Sequence, residues 1–210
     1  MCGIVGAVGA MECTPFLLSG LKVLEYRGYD SAGLAVLTAS GELVRARAKG
    51  RVAELEARVA EQGVVGKVGI AHTRWATHGV PAERNAHPHI SGGLAVVHNG
   101  IIENYEVLRE KLQGLGYEFT SDTDTETIAH LIQACFKGEI GEPAENLFSA
   151  VQCAVKQLQG AYALAVISEA EPECLVVARE GSPLMLGIAE DGHYAASDAS
   201  ALLSVTQQMM

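Results

Sequence analysis

Short apolar runs, and runs in which apolar and polar residues alternate, recur along the chain between Gly-bearing turns. They predict strands at Gly3 to Val8, Leu34 to Leu37, Leu43 to Ala48, Val68 to His72, Leu94 to Val97, Tyr117 to Thr120, Tyr162 to Ile167, Leu175 to Ala178, Leu184 to Ile188 and Tyr194 to Ala196. A helical rhythm appears between them. Thr14 caps one helix with Pro15 at its first position, with Leu17, Leu21 and Leu24 on one face and Gly28 ending it. Val52, Leu55 and Val59 mark a second. Asn104 caps a third that carries Leu108 and Leu112 and stops at Gly114. Thr123-x-x-Glu126 is a capping box for a fourth with Ile128, Leu131, Ile132, Cys135 and Phe136, and Leu147, Val151, Ala154, Val155 and Leu158 make a fifth. Strands outnumber helices and mostly follow one another as hairpins, so the pattern predicts an α+β fold with antiparallel sheets in a single unit spanning 1–210. After a predicted helix near Ser200 to Leu203, the ending Val205 to Met210 has neither a capping feature nor a polar tail.

Composition narrows the partners. With 49% hydrophobic and 19% charged residues, 210 residues bury a sizeable core. Fifteen basic against 25 acidic side chains give a net charge of −10, which argues against nucleic acid as a partner. No apolar stretch approaches the roughly 18 to 20 residues of a membrane helix, and no basic segment precedes an apolar one at the start. No membrane partner and a cytoplasmic location are the expectation. The five cysteines, Cys2, Cys13, Cys135, Cys153 and Cys174, form no C-x-x-C pair, so neither a disulfide framework nor a cysteine zinc site is indicated. Cys135, Cys153 and Cys174 read as small buried hydrophobes.

Cys2 is different, because a residue this small after Met1 permits removal of the methionine. That places a thiol and an α-amine of pKa about 7.7 to 8.0 on one residue, which then carries its own general base. An ordinary residue near a frayed terminus is the competing reading, but an apolar strand begins at once with Gly3. A second cluster, His72-Thr73-Arg74-Trp75-Ala76-Thr77-His78-Gly79, follows an apolar strand; Arg74 offers a fork for a carboxylate and Trp75 a cover for a small molecule, or the two simply stack at the surface. A third, His98-Asn99-Gly100, reads by itself as a turn, although an Asn amide and a neighbouring backbone N–H are also the donors of an oxyanion hole. In Asp122-Thr123-Asp124-Thr125-Glu126 the acids are explained by helix capping, yet one of them also suits a substrate ammonium group. Five of the seven histidines lie between His72 and His98, but their spacings are not those of a metal site, and no phosphate-cradling glycine motif exists. No metal and no cofactor are expected.

The order of these strings, Met1-Cys2-Gly3-Ile4-Val5-Gly6, then Leu24 to Gly33 with Tyr26-Arg27-Gly28-Tyr29-Asp30, then His72 to Gly79, then His98 to Asn104, then Asp122 to Glu126, resembles the glutaminase domain of class II glutamine amidotransferases. The second and third strings look specifically like those of the glutamine:fructose-6-phosphate aminotransferases. The resemblance covers essentially the whole chain, through Ala178 to Leu184 and Ala196-Ser197-Asp198. It implies an N-terminal-nucleophile hydrolase fold, a four-layer αββα sandwich. It also implies roles: Cys2 as nucleophile toward L-glutamine; Asn99 and Gly100 as oxyanion hole; Arg74 for the α-carboxylate; Asp124 for the α-ammonium group. Thr77 and His78 then line the pocket, Trp75 closes over it, and Arg27 with Gly28 lies beside the nucleophile. The family's complete enzymes add sugar-isomerase domains, absent here, that bind fructose 6-phosphate, and they are expected to be homo-oligomers. The resemblance further implies that a final strand or two of the glutaminase domain is lacking. Two other readings stay open: the glutaminase domain of a purine-pathway amidotransferase, and a glutamine-binding piece without turnover.

Overall fold

The computed structural model describes residues 2–75 and 81–210. Its elements are β1 (Gly3–Gly9), α1 (Thr14–Leu24), β2 (Ser31–Leu37), β3 (Leu43–Lys49), α2 (Val52–Gln62), β4 (Val68–Arg74), β5 (His89–Ser91), β6 (Leu94–Ile102), α3 (Tyr105–Gly114), α4 (Asp124–Lys137), α5 (Leu147–Val155), β7 (Gly160–Ser168), β8 (Glu171–Glu180), β9 (Met185–Ala189) and β10 (Gly192–Ala196). They form a six-stranded sheet in the order β3-β2-β4-β1-β10-β9 and a four-stranded sheet in the order β5-β6-β7-β8. The strand pairs of both sheets are antiparallel.

Period-two alternation sorts the side chains into layers. Val5 and Ala7 of β1, with Leu34 and Val36 of β2, pack on Leu17, Leu21 and Leu24 of α1 and on Val52, Leu55 and Val59 of α2. Their neighbours Ile4, Ala35 and Leu37, with Val68 and Ile70 of β4, face the other way. They meet Ala95 and Val97 of β6 and Ala163, Ala165 and Ile167 of β7 in a seam between the two sheets. On the far side, Leu94, Val96, Leu164 and Val166 pack against α3, α4 and α5. The result is helices, sheet, sheet, helices: the αββα sandwich expected.

Several elements differ from expectation for visible reasons. Tyr117 to Thr120 joins no sheet; the Thr120 and Ser121 N–H groups donate to the Glu126 carboxylate at 2.9 and 2.7 Å instead of to a strand. Glu126 is thereby taken from the reciprocal half of the capping box, of which only the bond from the Glu126 N–H to Thr123 Oγ1, 3.3 Å, is present. Thr14 is the first helical residue rather than the cap of α1. Asn104 stands at the cap position of α3 but spends its side chain on Gln157 O and the Gln159 N–H. The predicted helix near Ser200 to Leu203 is a 3₁₀ turn at Ala199–Ala201, and beyond it Gln208 and Met210 hydrogen-bond along β9. β5 is only three residues long, too short a run to be predicted as a strand.

Candidate active site

The same alternation builds the site. Along β4, the seam-facing set Val68 and Ile70 continues to His72 and Arg74; along β6, Ala95 and Val97 continue to Asn99; along β1, two residues before Ile4 comes Cys2. At one end of the sandwich, therefore, the apolar filling between the sheets gives way to a thiol, a guanidinium, an imidazole and an amide. β4 and β6 both run further than their apolar runs suggested. Asn99 and Gly100 are not a turn, because they pair in register with Ala163 and Tyr162 of β7. Gly100 has φ +129°, and a Cβ there would lie 1.9 Å from the Ala161 carbonyl oxygen, so only glycine fits at this point of the strand.

The N-terminus of α4 completes the wall. Asp124 Oδ2 accepts from the Ile102 N–H at 3.0 Å, which ties the first residue of α4 to the end of β6. His98 Nδ1 lies 3.0 Å from Thr125 Oγ1, and His89 Nε2 lies 2.9 Å from Thr123 Oγ1. Burial alone would raise the Glu126 carboxyl, but its bonds from Thr120 and Ser121 outweigh this and hold it below the ordinary carboxylate value. It stays charged, and it clamps the loop that presents Thr123 and Asp124.

Cys2, Arg74, Trp75, His87, His98, Gly100, Thr123, Asp124 and Thr125 line one cavity of about 20 Å³, room for about one water. Asn99 lies directly beside Cys2, its Nδ2 donating to Cys2 O at 3.2 Å. The Trp75 N–H donates to Cys2 Sγ at 3.2 Å, and Sγ reaches Trp75 O at 3.6 Å. Burial pushes the Cys2 thiol above its ordinary value, against the Trp75 N–H, which favours the thiolate. A buried thiol of this kind needs a base to react.

Arg74, buried in this wall, pairs with Asp30 Oδ1 at 3.3 Å, and Asp30 in turn donates its N–H to Arg74 O at 2.7 Å. Asp30 stood in a recognised string without a role, and nothing in its spacing announced the partner. Gly28, at φ +96°, leaves the space in which the Trp75 ring lies; a Cβ there would come within 2.2 Å of Trp75 Cε3. Arg27 pairs with Asp198, which also accepts from Tyr26 OH at 3.0 Å, so this arginine braces the loop before Gly28 and does not line the cavity. Thr77 and His78 lie outside the described residues.

The buried rings of His72, His87 and His89 are neutral. Burial pushes His72 down to about 3 and His87 and His89 well below the ordinary value. The His72 and His87 rings stack with centroids 4.1 Å apart, and His72 Nε2 lies 3.0 Å from Asn99 Oδ1. Among the described residues, no three His, Cys, Asp or Glu side chains converge to hold a metal ion. Nor is any helix among them long and apolar enough to cross a membrane. A larger hollow of about 600 Å³ at the opposite end of β1, lined by Thr38, Lys67, Pro172 and Glu173 among others, contains no cysteine or histidine.

Known proteins resemble this chain at both levels. A curated glutamine–fructose-6-phosphate aminotransferase (isomerizing) of Acidithiobacillus ferridurans is 57% identical over all of the chain and 34% of its own length. The protein of the same name from Pseudomonas putida is 58% identical, again over all of the chain and 34% of its own length. The chain thus spans about a third of the curated relatives it matches. Among solved structures, a glutamine phosphoribosylpyrophosphate amidotransferase from B. subtilis superimposes with a TM-score of 0.81 at 28% identity, over 98% of this chain and 44% of that one. A class II glutamine aminotransferase domain protein from Silicibacter pomeroyi shares the fold with a TM-score of 0.62 at 16% identity, over 93% of this chain and 88% of that one. The sequence model of the glutamine amidotransferase domain matches residues 72–204, the stretch that carries the end of β4, β6 and the start of α4. The fold is of the N-terminal-nucleophile hydrolase type, and the chain belongs to the glutamine amidotransferase domain family.

Proposed function

We propose that this chain hydrolyses L-glutamine to glutamate and ammonia through a thioester on Cys2, and that in the whole protein the ammonia goes to fructose 6-phosphate to make glucosamine 6-phosphate. Removal of Met1 frees the Cys2 α-amine. That amine takes the thiol proton, and Sγ attacks the carboxamide carbon. The oxyanion that forms is held by Asn99 Nδ2 and the Gly100 N–H. Collapse breaks the C–N bond, the α-ammonium group returns its proton to the leaving nitrogen, and ammonia departs. Water adds to the thioester by the same route, releasing glutamate and restoring the thiol. Arg74 binds the substrate α-carboxylate and Asp124 its α-ammonium group, while Thr77 and His78 complete the pocket. Trp75 covers the bound substrate, and its backbone must leave Sγ as glutamine enters a cavity of only about 20 Å³.

The observation that carries the reading is the single cavity lined by Cys2, Arg74, Gly100 and Asp124, with the Asn99 amide against Cys2. For the sugar acceptor, the support is 57–58% identity to the two aminotransferases against 28% to the phosphoribosylpyrophosphate enzyme. Five unpaired cysteines accord with a reducing, cytoplasmic setting. Cys2→Ala tests the mechanism: glutamate release should vanish while calorimetry still detects glutamine binding through Arg74 and Asp124. Turnover that survives the substitution would remove Cys2 as nucleophile.

A further inference from the structure

The oxyanion-hole amide of Asn99 has two ends, and only one of them donates. Cys2 O can only accept, so the end of Asn99 that faces it at 3.2 Å must be Nδ2. That leaves Oδ1 facing His72 Nε2 at 3.0 Å, and an amide oxygen needs a donor there. His72 is fully buried, and burial pushes its pKa down to about 3, so the ring is neutral and has one N–H to place. Its seat is rigid. His72 pairs with Ile4 of β1 on one side and Gly33 of β2 on the other, and its ring stacks on His87 at 4.1 Å.

From this geometry we propose that His72 is a positioning residue for the reaction: its Nε2–H holds Asn99 Oδ1 and so keeps Nδ2 turned toward the carbon attacked by Cys2. The inference rests on the proposed role of Asn99. In a flipped amide, Oδ1 would face the oxyanion and repel it, so the hydrogen bond from the imidazole selects the catalytic orientation before substrate arrives. Nothing is asked of His72 as an acid or base.

The test is a double-mutant cycle in the intact protein, read as steady-state glutamate release, with thermal unfolding recorded for every variant. His72→Phe removes the donor and keeps a ring; it is expected to lower kcat about tenfold to a hundredfold with KM within about threefold. Added to Asn99→Ala, the same substitution should change kcat little further, because the group it positions is already gone. His72→Gln, whose amide nitrogen reaches about as far as Nε2, should keep kcat within about threefold of the parent, whereas the shorter His72→Asn should fall with the Phe variant. A merely structural residue predicts losses that track unfolding temperature and multiply in both backgrounds. Equal kcat losses with and without Asn99, or Gln and Asn variants of equal rate, would overturn the proposal, and the second comparison stands even if His72→Phe does not fold. If Asn99→Ala is impaired while His72→Phe runs at full rate, this inference alone fails. A parent protein that releases no glutamate overturns the site reading and this inference with it.

Discussion

Cys2 and Asn99 divide the proposed chemistry between them, one forming the bond and the other stabilising the charge that results. Asn99→Ala is expected to lower kcat about a hundredfold to a thousandfold with little change in KM, since the amide acts mainly in the transition state. Unchanged kcat in a steady-state assay would take Asn99 out of the oxyanion hole. Asp124 is predicted to behave in the opposite way. Asp124→Asn keeps an oxygen for the Ile102 N–H but loses the charge, so KM for glutamine should rise about tenfold to a hundredfold while kcat holds, the size of one charge-assisted hydrogen bond. A fall in kcat with KM constant would place Asp124 in the chemistry instead of in substrate binding.

The buried imidazoles of His72 on β4, His87 in the segment that follows and His89 on β5 make these elements acid-sensitive. His72 ordinarily titrates near 6.5 and in the folded chain only near 3, so between those values the unfolded chain binds a proton that the folded chain refuses. Stability is therefore full above pH 6.5 and is lost as pH falls toward 3, by about 1 kcal/mol per pH unit for each such histidine, with His87 and His89 acting in the same direction. Urea denaturation followed at pH 7 and pH 5 should show a marked drop in midpoint, and equal midpoints would contradict neutral burial of these rings. Below about pH 4.5 the loss of Glu126 adds to this, because its depressed carboxyl supports stability only while ionised. This part of the molecule was also the least legible in the sequence. The apolar pattern identified β1, β2, β4 and β7 because each buries both a helix-facing and a seam-facing set. It gave no means to see that β6 runs on through Asn99-Gly100, since that dipeptide is a turn signal unless a partner strand takes its backbone groups, and β7 does so. The roles of Asp30 and Glu126 stayed hidden because their partners, Arg74 in one case and the Thr120 and Ser121 N–H groups in the other, come together only when the chain folds back. His72 could have been found: it lies two residues before Arg74, on the same strand face.

The molecule as a whole is a sandwich that places a near-terminal thiol at the open end of its inter-sheet seam, and the proposed substrate anchors, Arg74 and Asp124, come from β4 and the start of α4. Its identity to relatives about three times its length concerns one part of those proteins, so synthesis of the amino sugar is a property to test in the whole protein. The central claim, that Cys2 attacks the glutamine carboxamide with its own amine as base, is tested most directly by mass spectrometry of the protein exposed to a γ-diazoketone analogue of glutamine. The account predicts chains that begin at Cys2, each carrying one adduct on Sγ of Cys2, with glutamate release lost in step with labelling. Glutamate release that persists in fully labelled protein, or full activity in chains that retain Met1, would contradict it.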